Sequence, residues 1–144
     1  MSLDKHLELI QSVVGRLANN SFSLKSWSIA ILSALIAGAS SIQADAQPFL
    51  GWLTLLITLL FWGLDAYYLR QERLFRKLYD AVRKGQTDER YTMNIQPYTG
   101  DVSPWLMTFF SVTLLPFHLP LFFMALAINL WPMLPQLRAW QATM

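Results

Sequence analysis

The sequence predicts an all-α integral membrane protein with three transmembrane helices, the third kinked by prolines. An N-terminal amphipathic helix and a cytoplasmic extension of the second helix complete the expected fold. Three observations carry this reading. Of 144 residues, 54% are hydrophobic and only 14% charged, with a mean hydropathy of +0.34, a balance foreign to soluble domains. Three long runs, beginning at residues 26, 49 and 105, are free of charge and read as the apolar bodies of membrane-crossing helices. The basic residues are placed asymmetrically. Lys5, Arg16 and Lys25 precede the first run, and Arg70, Arg73, Arg76, Lys77, Arg83, Lys84 and Arg90 follow the second, which is ten of the eleven present. The positive-inside rule then places the N-terminus and residues 70–103 in the cytoplasm, and the 43–47 turn outside.

Several function classes are excluded at this level. Zero cysteines leave no disulfide, thiolate metal site or cysteine nucleophile, and two distant histidines do not make a metal centre. Spacing along the chain shows no phosphate-cradling glycine loop, nucleophile elbow or Ser/His/Asp grouping, so neither enzyme chemistry nor a cofactor is expected, and a lipid-modifying enzyme survives only as a remainder. A net charge of +2 is too small to argue for nucleic acid. The first apolar run lies behind an amphipathic segment with no cleavable pattern, so no signal peptide is expected.

Residues 3–18 place Leu3, Leu7, Ile10, Val14 and Leu17 at alternating spacings of four and three, the apolar stripe of an amphipathic helix. Such a helix packs on its own protein or lies at the membrane surface; the alternative is a short coiled-coil-like seam between subunits. Asn19-Asn20-Ser21 supplies an end and a fresh cap. Residues 26–43 form the first span. Ala30, Ala34 and Gly38 fall four apart, as do Ser33, Ala37 and Ser41, giving a smooth side that another helix can approach closely. This side is expected to be buried against protein, with the second span favoured over another subunit.

After a connection at 43–47, Pro48 suits the first turn of the next helix, and the two spans form a tight antiparallel pair. Residues 49–69 form the second span and continue to 84 as a cytoplasmic helix, because no Gly or Pro interrupts 70–84. That rod is about 54 Å long against a hydrocarbon core of about 30 Å. Its cytoplasmic part has an apolar stripe of Leu74, Phe75, Leu78, Tyr79 and Val82, with Glu72–Arg76 and Asp80–Lys84 as four-apart ion pairs. Gly85 is a natural stop. The stripe is expected to meet that of residues 3–18, forming a small helical head, with a separate cytoplasmic protein as the alternative.

Residues 86–103 lack a helical period and contain Pro97 and Gly100, an ordered but irregular loop whose Tyr91, Met93, Ile95 and Tyr98 suit packing on the head. Ser103 and Pro104 open the next helix. Residues 105–127 form the third span, with Pro116, His118 and Pro120 inside it, and 128–144 an interfacial tail anchored by Trp131, Arg138 and Trp140. A re-entrant hairpin bending at 116–120 is the alternative, and it would return the C-terminus to the cytoplasm.

Three ionisable residues stand out. Asp65 lies near the cytoplasmic end of the second span, where a carboxylate needs a partner, and Lys25 at the mouth of the first span is its expected mate. An ion-pair lock is the plain reading; ion passage or gating is the sharper one. His118, between two prolines, is expected to donate to a helix carbonyl that proline leaves unpaired, or to act as a protonation-sensitive gate. His6 is expected at the surface of the first helix. The basic run 70–84 suits anionic lipid headgroups, although Glu72 and Asp80 offset part of it.

The segments around residues 6–22, 25–28, 61–80 and 82–83, notably Lys25-Ser26-Trp27 and Phe61-Trp62-Gly63-Leu64-Asp65-Ala66-Tyr67-Tyr68-Leu69-Arg70-Gln71-Glu72-Arg73, resemble a family of small bacterial multi-pass inner-membrane proteins. The resemblance covers most of the chain and is least around His118. It implies companionship with anti-phage defence genes, including a TIR-type nucleotide-signalling partner, and assigns no active-site residue.

The expected function is that of a self-associating inner-membrane protein that forms a pore or disrupts the membrane when a cytoplasmic signal or signalling protein engages the head. Its expected partners are the lipid bilayer and further copies of itself. The alternative is a non-conducting anchor or adaptor that recruits a soluble partner through Leu74, Phe75, Leu78, Tyr79, Arg73, Arg76 and Arg83 and the 86–103 loop.

Overall fold

The computed structural model describes residues 2–39, 47–87 and 91–130. The described residues are all helical or irregular, without strands: α1 (Leu3–Ala39), α2 (Gln47–Arg83), a 3-10 turn (Gln96–Tyr98), α3 (Trp105–Phe109) and α4 (Leu115–Leu130). Ser41 and the 43–46 connection lie outside the described residues, as do Trp131, Arg138 and Trp140.

α1 and α2 are each 37 residues long, about 55 Å at 1.5 Å per residue. Ile10 of α1 meets Leu78 of α2, and Ser21 meets Asp65, so the two run antiparallel along their lengths. The break expected at Asn19-Asn20-Ser21 does not occur, and 3–18 and 26–39 are one helix. Asn and Ser cost at most about 0.7 kcal/mol each against alanine inside a helix. Contacts with α2 on both sides of these residues outweigh that.

The face of α1 turned to α2 carries Ile10, Val14, Ser21, Lys25, Ser28 and Leu32, at spacings of four, seven, four, three and four that keep one side of the helix from the charged half into the apolar half. Ser28, Thr54 and Thr58 are buried in that half because each hydroxyl donates to the carbonyl four residues back, leaving no stranded polar group. The small-residue side was expected to be the buried one. Instead Ala30, Ser33 and Ala34 are exposed and Gly38 half-buried. The stripe begun by Ile10 and Val14 dictates which side of a continuous helix faces α2, and that side contains Ser28 and Leu32.

In the charged half, Ile10, Leu78 and Val82 form a core against which Leu7, Phe75, Tyr79, Ile95 and Tyr98 pack. This is the expected head, with the 3–18 stripe packed on that of α2, and it corrects one expectation: Leu74 and Leu78, assigned to a partner surface, are buried. α2 ends in a Schellman arrangement: Gly85 adopts φ +67°, its N–H donates to the Val82 carbonyl, and the Gln86 N–H donates to that of Ala81. Glu72 pairs with Arg76 at 2.7 Å, whereas Asp80 pairs with Arg83 at 3.6 Å instead of Lys84.

His6 is buried, not at the surface. Its Nε2–H donates to the Thr92 carbonyl at 2.9 Å, and its ring meets Tyr91 edge-on. The loop beyond is ordered by two short turns, in which Asn94 N–H donates to Thr92 Oγ1 and Gln96 N–H to Asn94 Oδ1. These seat Ile95 and Tyr98 on the head.

The third apolar run is not one kinked helix. α3 stops at Phe109, residues 110–114 turn, and α4 starts at Leu115. Pro116 explains the restart: it lacks the N–H that a continuous helix would need there and fits the first turn of a new one. Pro120 sits inside α4. α4 extends to Leu130, so residues 128–130, assigned to the tail, are helical. Asn129 Nδ2 donates to the Gly51 carbonyl at 2.8 Å and to that of Ala125 at 3.0 Å. With His118 at Asp65 and Asn129 at Gly51, α4 runs antiparallel to α2. α2 therefore lies between α1 and the α3–α4 pair.

A buried ion cluster joining three helices

Where the apolar half of α2 gives way to the charged half, the chain gathers one side chain or more from each long element. Asp65 of α2 is completely buried, and its carboxylate accepts from three donors. Lys25 Nζ of α1 lies 2.6 Å from Oδ2, His118 Nε2 of α4 lies 2.7 Å from the same oxygen, and the Ser21 hydroxyl donates to Oδ1. Lys25 also donates to Ser21 Oγ at 2.8 Å. The helix period makes this possible. Ser21 and Lys25 are four apart, hence on one face of α1, and that face is the one turned to α2.

His118 does not bond a proline-freed carbonyl. Pro116 occupies the first turn of α4, where its missing N–H strands nothing, and the imidazole reaches across to Asp65. With the carboxylate as acceptor, Nε2 carries the proton. Nδ1 is buried without a hydrogen-bond partner among the described residues.

Aromatic rings wall the cluster off. Trp62 lies between Phe109, stacked at 4.3 Å and 13°, and His118, stacked at 5.6 Å and 8°. Its indole N–H donates to the Phe109 carbonyl at 2.8 Å, pairing an acceptor that the end of α3 leaves open. Phe122 meets Trp62 edge-on, and Lys25 Nζ lies 5.9 Å from the Phe117 ring centre. In so apolar a setting an unpaired carboxylate would cost several kcal/mol, roughly, so the three donors are what allow Asp65 to stay ionised there.

Comparison with family models, curated proteins and solved structures returns no match.

The residues singled out by sequence therefore divide. Lys25, Asp65 and His118 converge on one point. Arg73 reaches Thr113 Oγ1 at 3.4 Å, and Arg76 and Arg83 lie on the outside of the charged half, paired along α2. Leu74 and Leu78 are inside. Ser21 and Trp62 belong to the cluster and escape sequence reasoning, although Ser21 stands one turn before Lys25 and Trp62 one turn before Asp65. Among the described residues no group of three or more His, Asp or Glu side chains could hold a metal, and the ammonium of Lys25 already balances the carboxylate.

Proposed function

We propose that this chain is a three-span integral membrane protein that self-associates and changes membrane permeability when a cytoplasmic signal engages its head. The buried Lys25–Asp65–His118 cluster would hold the closed arrangement. That cluster carries the reading. It is the polar tie between α1, α2 and α4, and it sits where the charged half of the paired helices meets the apolar half. A movement of α1 against α2 in the head must pass through the Lys25–Asp65 contact before it reaches the apolar half.

Exposure of the apolar halves supports the membrane part. α1 and α2 are both long and apolar enough to cross a membrane. The core helix of a soluble protein would be buried, yet Phe49, Trp52 and Leu60 are 69%, 66% and 56% exposed, and Phe22, Trp27, Ile29, Leu56 and Leu59 are exposed as well. Hydrocarbon is the solvent that suits such a surface. α4 would be the third span, with the head and N-terminus cytoplasmic by the distribution of basic residues. The exposed small-residue side at Ala30, Ser33 and Ala34 suits close approach by a second copy. The adaptor alternative is weakened by the burial of Leu74 and Leu78.

The test is the full chain in liposomes loaded with a self-quenching dye, with a potential-sensitive dye in cells alongside. Asp65→Asn removes the charge that anchors the tie, so it should leak without any signal, while the wild-type protein stays tight. If Asp65→Asn and Lys25→Met both insert, keep their helical circular dichroism and leave potential and dye retention at wild-type levels, the permeability reading is wrong.

A further inference from the structure

Below the ion cluster, α2 and the segment leading into α3 enclose a cleft of about 290 Å³ lined by Arg73, Arg76, Lys77, Asp80, Asp101 and Ser103. The two walls are tied together: Arg70 Nε donates to the Ser103 carbonyl at 3.2 Å, and Arg73 reaches Thr113 Oγ1. We infer that this cleft binds the headgroup of an anionic phospholipid, taking its phosphodiester on Arg73 and Lys77 and its headgroup hydroxyls on Asp80 and Asp101. The inference rests on the membrane reading proposed above.

Three features lead to this ligand. The first is unused donor capacity. Lys77 has no ion pair or hydrogen bond among the described residues, and Arg73 commits one of five N–H donors to a bond of 3.4 Å. Arg76, by contrast, directs Nε and Nη2 to Glu72 Oε1.

The second is charge. Counting the partners that hold two of its lining groups, Glu72 on Arg76 and Arg83 on Asp80, the cleft sets four cations against three carboxylates, a balance of one positive charge. A phosphodiester carries one negative charge, so it completes the cleft, whereas inorganic phosphate or a polyanion would meet Asp80 and Asp101 with surplus charge. Those carboxylates are acceptors, which favours a headgroup that also offers hydroxyl donors, such as the glycerol of phosphatidylglycerol.

The third is depth. Tyr67 and Tyr68 on α2, and Trp105, whose indole N–H donates to the Gly63 carbonyl at 3.0 Å, form an aromatic belt of the kind that marks a membrane boundary. Arg70, which ties the two walls of the cleft, lies two residues beyond Tyr68, about 3 Å along the helix, and Arg73 lies five residues beyond it, about 7.5 Å. The headgroup layer on each side of a bilayer is about 5–7 Å thick, so the upper end of the cleft meets the outer edge of that layer. Lys77, about 13.5 Å beyond Tyr68, has its side chain tilted back toward it by the N-terminal lean of helical side chains. Leu106 and Met107, exposed just after Trp105, offer apolar surface for acyl chains.

The test uses the whole chain purified in detergent, with native mass spectrometry counting retained lipid. Phosphatidylglycerol should be retained at least tenfold more than phosphatidylcholine. At about 1 kcal/mol per basic side chain near a headgroup, or about fivefold, Arg73→Gln with Lys77→Gln should lower retention about 25-fold. Arg16→Gln, which removes an exposed charge of α1 outside the cleft, should leave it unchanged. Equal retention of the two lipids, an unaffected double variant, or an equal loss from Arg16→Gln would overturn the inference. Displacement of the lipid by equimolar inorganic phosphate would assign the cleft to free phosphate and overturn it too. Extraction from membranes by carbonate, without detergent, would defeat the membrane reading itself. Resistance to carbonate with no lipid preference would defeat this inference alone.

Discussion

Asp65 shows how one residue can decide the behaviour of its neighbours. Its carboxylate balances Lys25 and fixes the tautomer of His118, so removing any one partner leaves the others mismatched. Breaking a buried pair typically costs about 3–5 kcal/mol, and Lys25 keeps some exposure (24%), which lowers the figure toward about 2–3 kcal/mol. Lys25→Met should therefore destabilise strongly, because it strands a carboxylate. Lys25→Met combined with Asp65→Asn should recover part of the loss, because no charge is then left unpaired. Thermal unfolding in detergent of the two single variants and the double variant measures this coupling; simple additivity would mean that the two side chains do not act as a pair. His6→Ala makes a second prediction at this scale. The hydrogen bond from His6 to the Thr92 carbonyl joins α1 to the loop, so limited proteolysis should cut near Tyr91 to Met93 faster in the variant, at an unchanged rate elsewhere.

Elements hold together by two different means along the same pair of helices. In the head, ordinary apolar packing dominates. Leu78→Ala leaves a cavity between α1 and α2 and should cost about 2–5 kcal/mol, read as lost hydrogen-exchange protection over 3–18 and 74–83 with the apolar halves still protected. Loss of protection throughout would mean that the head and the apolar halves unfold as one unit. At the far end, a side-chain amide seated on a glycine dominates, Asn129 donating to the Gly51 carbonyl. A Cβ at Gly51 would overlap the Asn129 side-chain amide, so Gly51→Ala should push α4 away from α2 and cost about 1–3 kcal/mol. Trimming the obstacle with Asn129→Ala in the same chain should restore some of that stability, measured by the same thermal unfolding.

For the whole molecule, the paired rods are nearly twice as long as a hydrocarbon core is thick, roughly 55 Å against 30 Å. The proposed arrangement places about half of each rod in water, with the ion cluster at the transition. Single cysteines make this measurable in a chain that has none of its own. Cysteines placed at Ser12 and Lys84 should react with a membrane-impermeant maleimide only after cells are opened, whereas one at Ala44 should react in intact cells. Reaction at all three positions in intact cells would refute the orientation.

Local pattern carried much of this architecture. The absence of Gly and Pro over 70–84 and Gly85 at the end are short-range facts, and the long reach of α2 and its Schellman stop follow from them. The meeting of the 3–18 stripe with Leu78 and Val82 was also legible, because two exposed apolar stripes in one short chain need each other. So was the pairing of Lys25 with Asp65, since a carboxylate at the end of so apolar a stretch needs a cation and few are within reach. Other features depended on residues far apart in the chain. His118 and Asp65 are 53 positions apart and Asn129 and Gly51 are 78 apart, and no periodicity encodes such meetings. They require α4 to start afresh at Leu115 and run back along α2. Likewise, small residues made one side of α1 look packable, but rotation of a continuous helix is set by its whole length. Ile10 and Val14 anchor it in the head, and only the assembled pair shows that Ser28 and Leu32, not Ala30 and Ala34, then turn inward.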